Sequence, residues 1–459
     1  MGGVYGIRSN RVVLPTGVQP AVIYVEDGRI REIDVRPSLS EPRSPNLEPR
    51  ASDLDLWTSD LGDLVIMPGL VDAHVHVNEP GRTEWEGFAT ATAAAAAGGI
   101  TTIVDMPLNS IPATTTVRAL EEKRLAAQGR VTVDVGFWGG VVPGHAHELD
   151  ALCNAGVLGF KCFLAPSGVD EFPHVGEHDL REAMPVLARR GVPLLVHAEL
   201  PSELRAMAPG ADNRRHATWL ASRPEDAEAA AVRLMVQLAR EFGTRVHIVH
   251  VASPSAMAVI ASARAEGLPL TAETCPHYLT FCAEEIADGS TVHKCAPPIR
   301  ERAAQDALWR ALIDGTLQMI ASDHSPCPPD AKPPGDFLSA WGGIASLEVS
   351  MAAVWTAGRQ HGVTFNQLAT WMASAPAALA GLRSRKGELR PGVDADLLVW
   401  DPDATFTVDR TRLRQRHPVT PYDGLTLRGV VKATYVRGHL VYRDGALAGD
   451  PHGALLERL

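Results

Sequence analysis

The chain has 459 residues, with 43 Lys and Arg against 54 Asp and Glu, a formal net charge of −11. At 45% hydrophobic and 21% charged residues, with no long basic run, it is expected to bind neither nucleic acid nor an anionic membrane surface, and it can fill one large catalytic domain plus a smaller one. The stretch MGGVYGIRSNRVVLP is not apolar enough for a signal peptide or a membrane span, and six cysteines without a C-x-x-C pair are expected as free thiols of a cytoplasmic protein.

In chain order, AVIYVEDGRIREID (21–34) reads as a hairpin, two β-rich runs around an Asp-Gly turn. Residues 35–62 are rich in Pro, Ser and acidic groups and are expected as a surface excursion. Short apolar runs then alternate with helical stretches. The expected strands are VDAHVHV (71–77), TTIVDM (101–106), VDVGFWG (133–139), GFKCFL (159–164), PLLVHAE (193–199), RVHIVHV (245–251), LTAETCPH (270–277) and QMIASDH (318–324). Among the helical segments, EWEGFATATAAAAA (84–97) has the propensity of its Ala run and a stop at Gly98 and Gly99. DAEAAAVRLMVQLAREF (226–242) is another. This alternation predicts an α/β chain whose eight parallel strands close as a (β/α)8 TIM-like barrel. Beyond it, ADLLVWDP and VVKATYVRGHLVYRDG return to strand character, so both chain ends look like β structure.

Barrel enzymes work at the C-terminal ends of their strands. There the sequence places His74 and His76, Lys161, His197, His250 and Asp323, with Asn109 and His277 near two further ends. Residues i and i+2 of a strand share a face, about 6.5–7 Å apart, so His74 and His76 can reach one ion, and His197 and His250 a second. A lone histidine on an apolar strand is ordinarily a satisfied core residue. A lysine or aspartate inside a barrel is harder to place, because burial without a partner is costly. Six such side chains at one mouth point to a centre of two divalent ions, in which Asp323 can both bind an ion and take a proton from a shared hydroxide. His247 and His324 stand at odd offsets beside these positions and are expected to face outward.

From about Val65 to Val399 these residues resemble the cyclic amidohydrolases of the amidohydrolase superfamily, the dihydroorotase- and hydantoinase-like branch. The marks are D-x-H-x-H after Pro-Gly, the strand-four lysine, the two later histidines and the strand-eight aspartate. GELRPGVDADLLVWDP looks like that family's return to its β domain. The resemblance implies a barrel at 67–386 and a small β-sandwich built from 1–66 and 387–459. It implies metal ligands His74, His76, Lys161, His197, His250 and Asp323, and a carbamate formed from CO2 on Lys161 (N6-carboxylysine) bridging two divalent ions. Zinc comes first for these ligands, with iron, cobalt, nickel and manganese tolerated. Asp323 becomes the catalytic base, and a homo-oligomer, a tetramer, is expected. The substrate would be a small cyclic amide contacted by Asn78, Asn109, the main chain at Ala296 and Gly342 in AWGGI (340–344). Dihydroorotases carry Arg where this chain has Asn78, and hydantoinases and dihydropyrimidinases carry Tyr where it has Pro166. A substrate ring without a carboxylate is therefore expected. Ala296 stands where Ser was expected. Those enzymes, and a metal-free inactive scaffold relative, are the alternatives.

Overall fold

The computed structural model describes residues 4–35, 58–206, 208 and 210–458. Before the barrel run β1 (Tyr5–Leu14), β2 (Gly17–Glu26), β3 (Arg29–Val35), β4 (Thr58–Asp60) and β5 (Val65–Pro68). The expected hairpin is β2–β3, turning at Asp27 (φ 48°) and Gly28 (φ 78°), the pair of positive φ values that matches the twist of the strands. Most of the expected surface excursion, 36–57, lies outside the described residues. Its end instead forms β4, parallel to β1.

The barrel follows: β6 (Leu70–Val75), β7 (Ile100–Asp105), β8 (Asp134–Phe137), β9 (Gly139–Gly140), β10 (Phe160–Phe163), β11 (Leu194–His197), β12 (Val246–Ile248), β13 (Leu270–Thr274) and β14 (Met319–Ile320). All eight expected strands are present, the third interrupted at Trp138 into β8 and β9. Neighbours pair in parallel from β6 to β8 and from β9 to β14. The ring closes where Val75 bridges His324 and His76 N–H donates to His324 O at 2.8 Å. These strands are buried on both faces, which is why they read as apolar runs rather than alternating ones.

His74, Lys161 and His197 lie within their strands, whereas His76, His250 and Asp323 lie just beyond theirs. At His250 (φ 42°) and Asp323 (φ 46°) the backbone turns into the left-handed region and leaves the ladder. Helix Phe88–Ala97 also starts later than its Ala-rich sequence suggests, because Gly87 at φ 123° breaks the backbone and Glu86 is held by Thr90 and Arg416. The second helix runs Glu225–Phe242, as expected.

After the barrel come β15 (Leu397–Thr407), β16 (Thr426–Val436), β17 (His439–Arg443) and β18 (Ala446–Leu447). They join the first strands in one nine-stranded sheet, β18-β17-β16-β15-β5-β1-β2-β3 with β4 beside β1, around its own core of Ile7, Ile23, Ile66, Leu397 and Tyr435. A buried charge cluster joins sheet and barrel. Lys386 Nζ donates to Asp134 at 2.6 Å and to Asp396 at 2.7 Å, while Arg437 also binds Asp134. No described helix is long and apolar enough to cross a membrane.

Candidate metal centre

The site is built from the strand ends. On β6 and one residue beyond its end, Asp72, His74 and His76 share the inward face. Asp72 accepts from the backbone N–H of His74 at 3.1 Å and of Ser322 at 3.2 Å, stitching the first barrel strand to the eighth. Burial pushes its carboxyl up to about 6 against those hydrogen bonds. His74 Nε2 and His76 Nε2 converge on Asp323 Oδ1, at 3.2 and 3.6 Å. Across the mouth, His197 Nδ1 lies 2.9 Å from His250 Nε2. The rings of His74 and His250 sit 5.5 Å apart, which links the two pairs.

Each pair is oriented from behind. His74 Nδ1 meets Glu273 Oε1 at 2.5 Å, and the other Glu273 oxygen meets His247 Nε2 at 3.0 Å. His197 Nε2 meets Glu199 Oε2 at 2.8 Å, and Arg223 pairs with the same carboxylate. A carboxylate behind an imidazole fixes its tautomer and leaves the opposite nitrogen free as a ligand. That leaves His74 Nε2 and His197 Nδ1 pointing inward.

Lys161 lies at the bottom of this group, 0% exposed. Burial lowers its ammonium to about 8, against the pull of Asp323 and Glu273. Among the described residues its Nζ has no hydrogen-bond partner, and neither has His250 Nδ1. Imidazole, carboxylate and an unpartnered lysine nitrogen suit divalent ions of the zinc type. One donor atom from each of His74, His76 and Asp323 lies within 4.8 Å of the other two, all buried. The residues present therefore fit a metal centre.

Four non-glycine residues here have positive φ: Asn78 (66°), Asn109 (64°), His250 and Asp323. Such conformations cost about 1–3 kcal/mol each and persist where the surroundings overdetermine them. The centre opens into a cavity of about 370 Å³. Asn109, Ala296 and Gly342 line it; Asn78 does not, and its amide instead donates to Pro326 O at 3.4 Å. His247 and His324, expected to face outward, are both fully buried. His247 braces Glu273, and His324 Nδ1 accepts from Ser346 N–H at 3.2 Å; the left-handed residues His250 and Asp323 break the period of two beside them, so offset counting fails there.

Sequence reading passed over Glu199, Glu273, Arg223, Trp219 and Lys294. The two glutamates had a signal, an acid inside an apolar strand. Trp219 on the short helix His216–Ser222, Arg223 just after it and Lys294 all come from the connections between barrel strands and had none. Lys294 donates to Leu338 O at 2.9 Å and to Ala340 O at 2.5 Å, tying down the segment that roofs the cavity.

Residues 65–441 match the model of the amidohydrolase family. The chain belongs to that family. Among its curated relatives, an allantoinase of Streptomyces avermitilis is 49% identical over 453 residues, 98% of each chain. An allantoinase of Arabidopsis thaliana is 43% identical over 468 residues, 98% of this chain and 90% of its own. The solved structure of L-hydantoinase (dihydropyrimidinase) from Arthrobacter aurescens matches with a TM-score of 0.91 at 32% identity, over 100% of both chains. This family member thus has the barrel architecture its strand pattern predicted.

Proposed function

We propose that the protein is an allantoinase, a metal-dependent hydrolase that opens the hydantoin ring of allantoin to give allantoate. The observation that carries this reading is near-full-length similarity to allantoinases, 49% over 98% of the chain, joined to an intact group of His74, His76, Lys161, His197, His250 and Asp323 at the barrel mouth. The stretches HVNEPGRTEWEGF, DMPLNSIPATTT, GFKCFLAPSGVDEFPHV, KCAPPIR and SDHSPCPP point the same way, since all look like that enzyme.

In this reading the six residues, with Lys161 carboxylated, would hold two divalent ions, zinc first. Such ions, when bound, supply Lewis acidity at the scissile carbonyl and a water that ionises near neutral pH. Asp323 accepts the proton of the attacking water and returns it to the departing ring nitrogen as the C–N bond breaks. Asn109, Gly342 and the main chain at Ala296 hold the ring and its ureido arm. Glu273 and Glu199 keep the imidazoles aligned. The division at 66 and 386, a homotetramer and a cytoplasmic location belong to the same proposal; six buried free thiols support the last.

The rival reading is a hydantoinase, favoured by the Arthrobacter structure but opposed by Pro166. Asn78 opposes a dihydroorotase in the same way. Turnover of allantoin, 5-substituted hydantoins, dihydrouracil and dihydroorotate, with metal content measured on the same sample, separates them. Allantoin is expected to be the preferred substrate; preference for any of the others overturns the reading.

A further inference from the structure

Strand β13 supplies none of the six proposed ligands, yet its C-terminal end brings Cys275 and His277 against Asp323. One donor atom from each of these three residues lies within 4.8 Å of the other two, and all three are buried. His277 is 0% exposed, and both its ring nitrogens are buried with no hydrogen-bond partner among the described residues. An imidazole with neither nitrogen satisfied is costly inside a protein. Its ring packs against Tyr278, 4.2 Å between centroids, but that contact satisfies neither nitrogen. Cys275 is likewise a buried free thiol.

We propose that Cys275, His277 and Asp323 form an additional position for a soft or borderline divalent cation, such as Cd2+ or excess Zn2+, and that filling it inhibits the enzyme. Sulfur, imidazole nitrogen and carboxylate oxygen form a three-ligand set of the kind that leaves a fourth tetrahedral position for water. The thiol selects thiophilic ions over Mg2+ or Ca2+. On binding, a sulfur–metal bond forms and the thiol proton leaves to solvent. Asp323 lines the cavity, so an ion can arrive from the substrate side. Its Oδ1 already faces His74 and His76, and a carboxylate has a second oxygen to share. The inhibitory consequence rests on the proposed function, since an ion on Asp323 withdraws the lone pair that would take the proton.

The test is a Cd2+ titration of the zinc-loaded protein, following ultraviolet thiolate-to-cadmium charge transfer, bound metal and allantoin turnover together. The expected result is one further ion per chain, with a charge-transfer band that grows as turnover falls. None of the six proposed ligands of the main centre is a thiol, so cadmium replacing zinc there produces no such band. Cys275→Ser should abolish the band, and the inhibitory concentration should rise by ~10-fold or more, the loss that even an outer-shell partner ordinarily causes. His277→Gln keeps the thiol and should weaken the same binding, which guards against a Ser variant that fails to fold. Absence of the band in wild type, or its persistence in Cys275→Ser, overturns the site. A band without loss of turnover overturns the inhibition. A chain inactive on allantoin that still shows the band overturns the function and leaves the site standing.

Discussion

Glu273 and His74 meet at 2.5 Å, carboxylate to Nδ1, and the same carboxylate is braced from its far side by His247 at 3.0 Å. His74 therefore presents Nε2 to the centre with its ring held from two strands. Glu273→Gln should leave the barrel folded but lower metal affinity by ~10–100-fold, the usual loss for a partner that orients a ligand. Chelator competition on the purified variant measures this. Unchanged affinity would mean His74 is not a ligand.

Lys161 is the most deeply buried of the group, and its Nζ has no hydrogen-bond partner among the described residues. Lys161→Ala should lose the paired ions and nearly all turnover while keeping its secondary structure, since a buried ammonium without a partner contributes little to folding. Metal analysis beside an allantoin assay reads both. A variant with full metal content and full turnover rules out the bridged pair.

Lys294 holds the cavity roof through two carbonyls, Leu338 O and Ala340 O, with its ammonium 4.3 Å from the centre of the Trp219 ring. Lys294→Met keeps the stem and removes the donors. The net worth of one such hydrogen bond is ~1.5–3 kcal/mol, so KM for allantoin should rise about tenfold or more, with a smaller change in kcat. Steady-state kinetics decides this, and a loss confined to kcat would place Lys294 in the chemistry instead.

His216 offers a pH prediction remote from the metal ligands. Its ring is 2% exposed and packs on Phe337. Burial lowers its pKa to about 4, with a smaller push from His293. The folded state therefore favours the neutral ring. The stability this contributes is present above the ordinary pKa of 6.5 and is lost as pH falls from there toward 4. One group with a shift of this size is worth about 3 kcal/mol. Thermal denaturation between pH 7 and 4 should show that loss, and His216→Phe should flatten the slope.

By itself, the sequence determined the barrel and the identity of the inward-facing ligand candidates. Eight doubly buried strands need unbroken apolar runs, so a histidine, lysine or aspartate within one stands out, and the period of two shows which side chains share a face. The N-terminal hairpin, the strand character of the C-terminal runs and the double-glycine stop of the Ala-rich helix were legible for the same local reasons. Only the tertiary structure decided which groups meet. Glu273, Glu199, Arg223 and Lys294 act across strands or from loops, and no local period relates Glu273 to His74, 199 residues away. Asn78, expected at the substrate from the resemblance to dihydroorotases, has φ 66°, and its amide donates to Pro326 O. His247 sits on the β12 ladder and faces Glu273, and the left-handed turns at His250 and Asp323 break the alternation that would have placed it and His324 outward. Where backbone departs from a regular repeat, side-chain direction is set by long-range contacts, and in this protein those departures cluster around the metal centre.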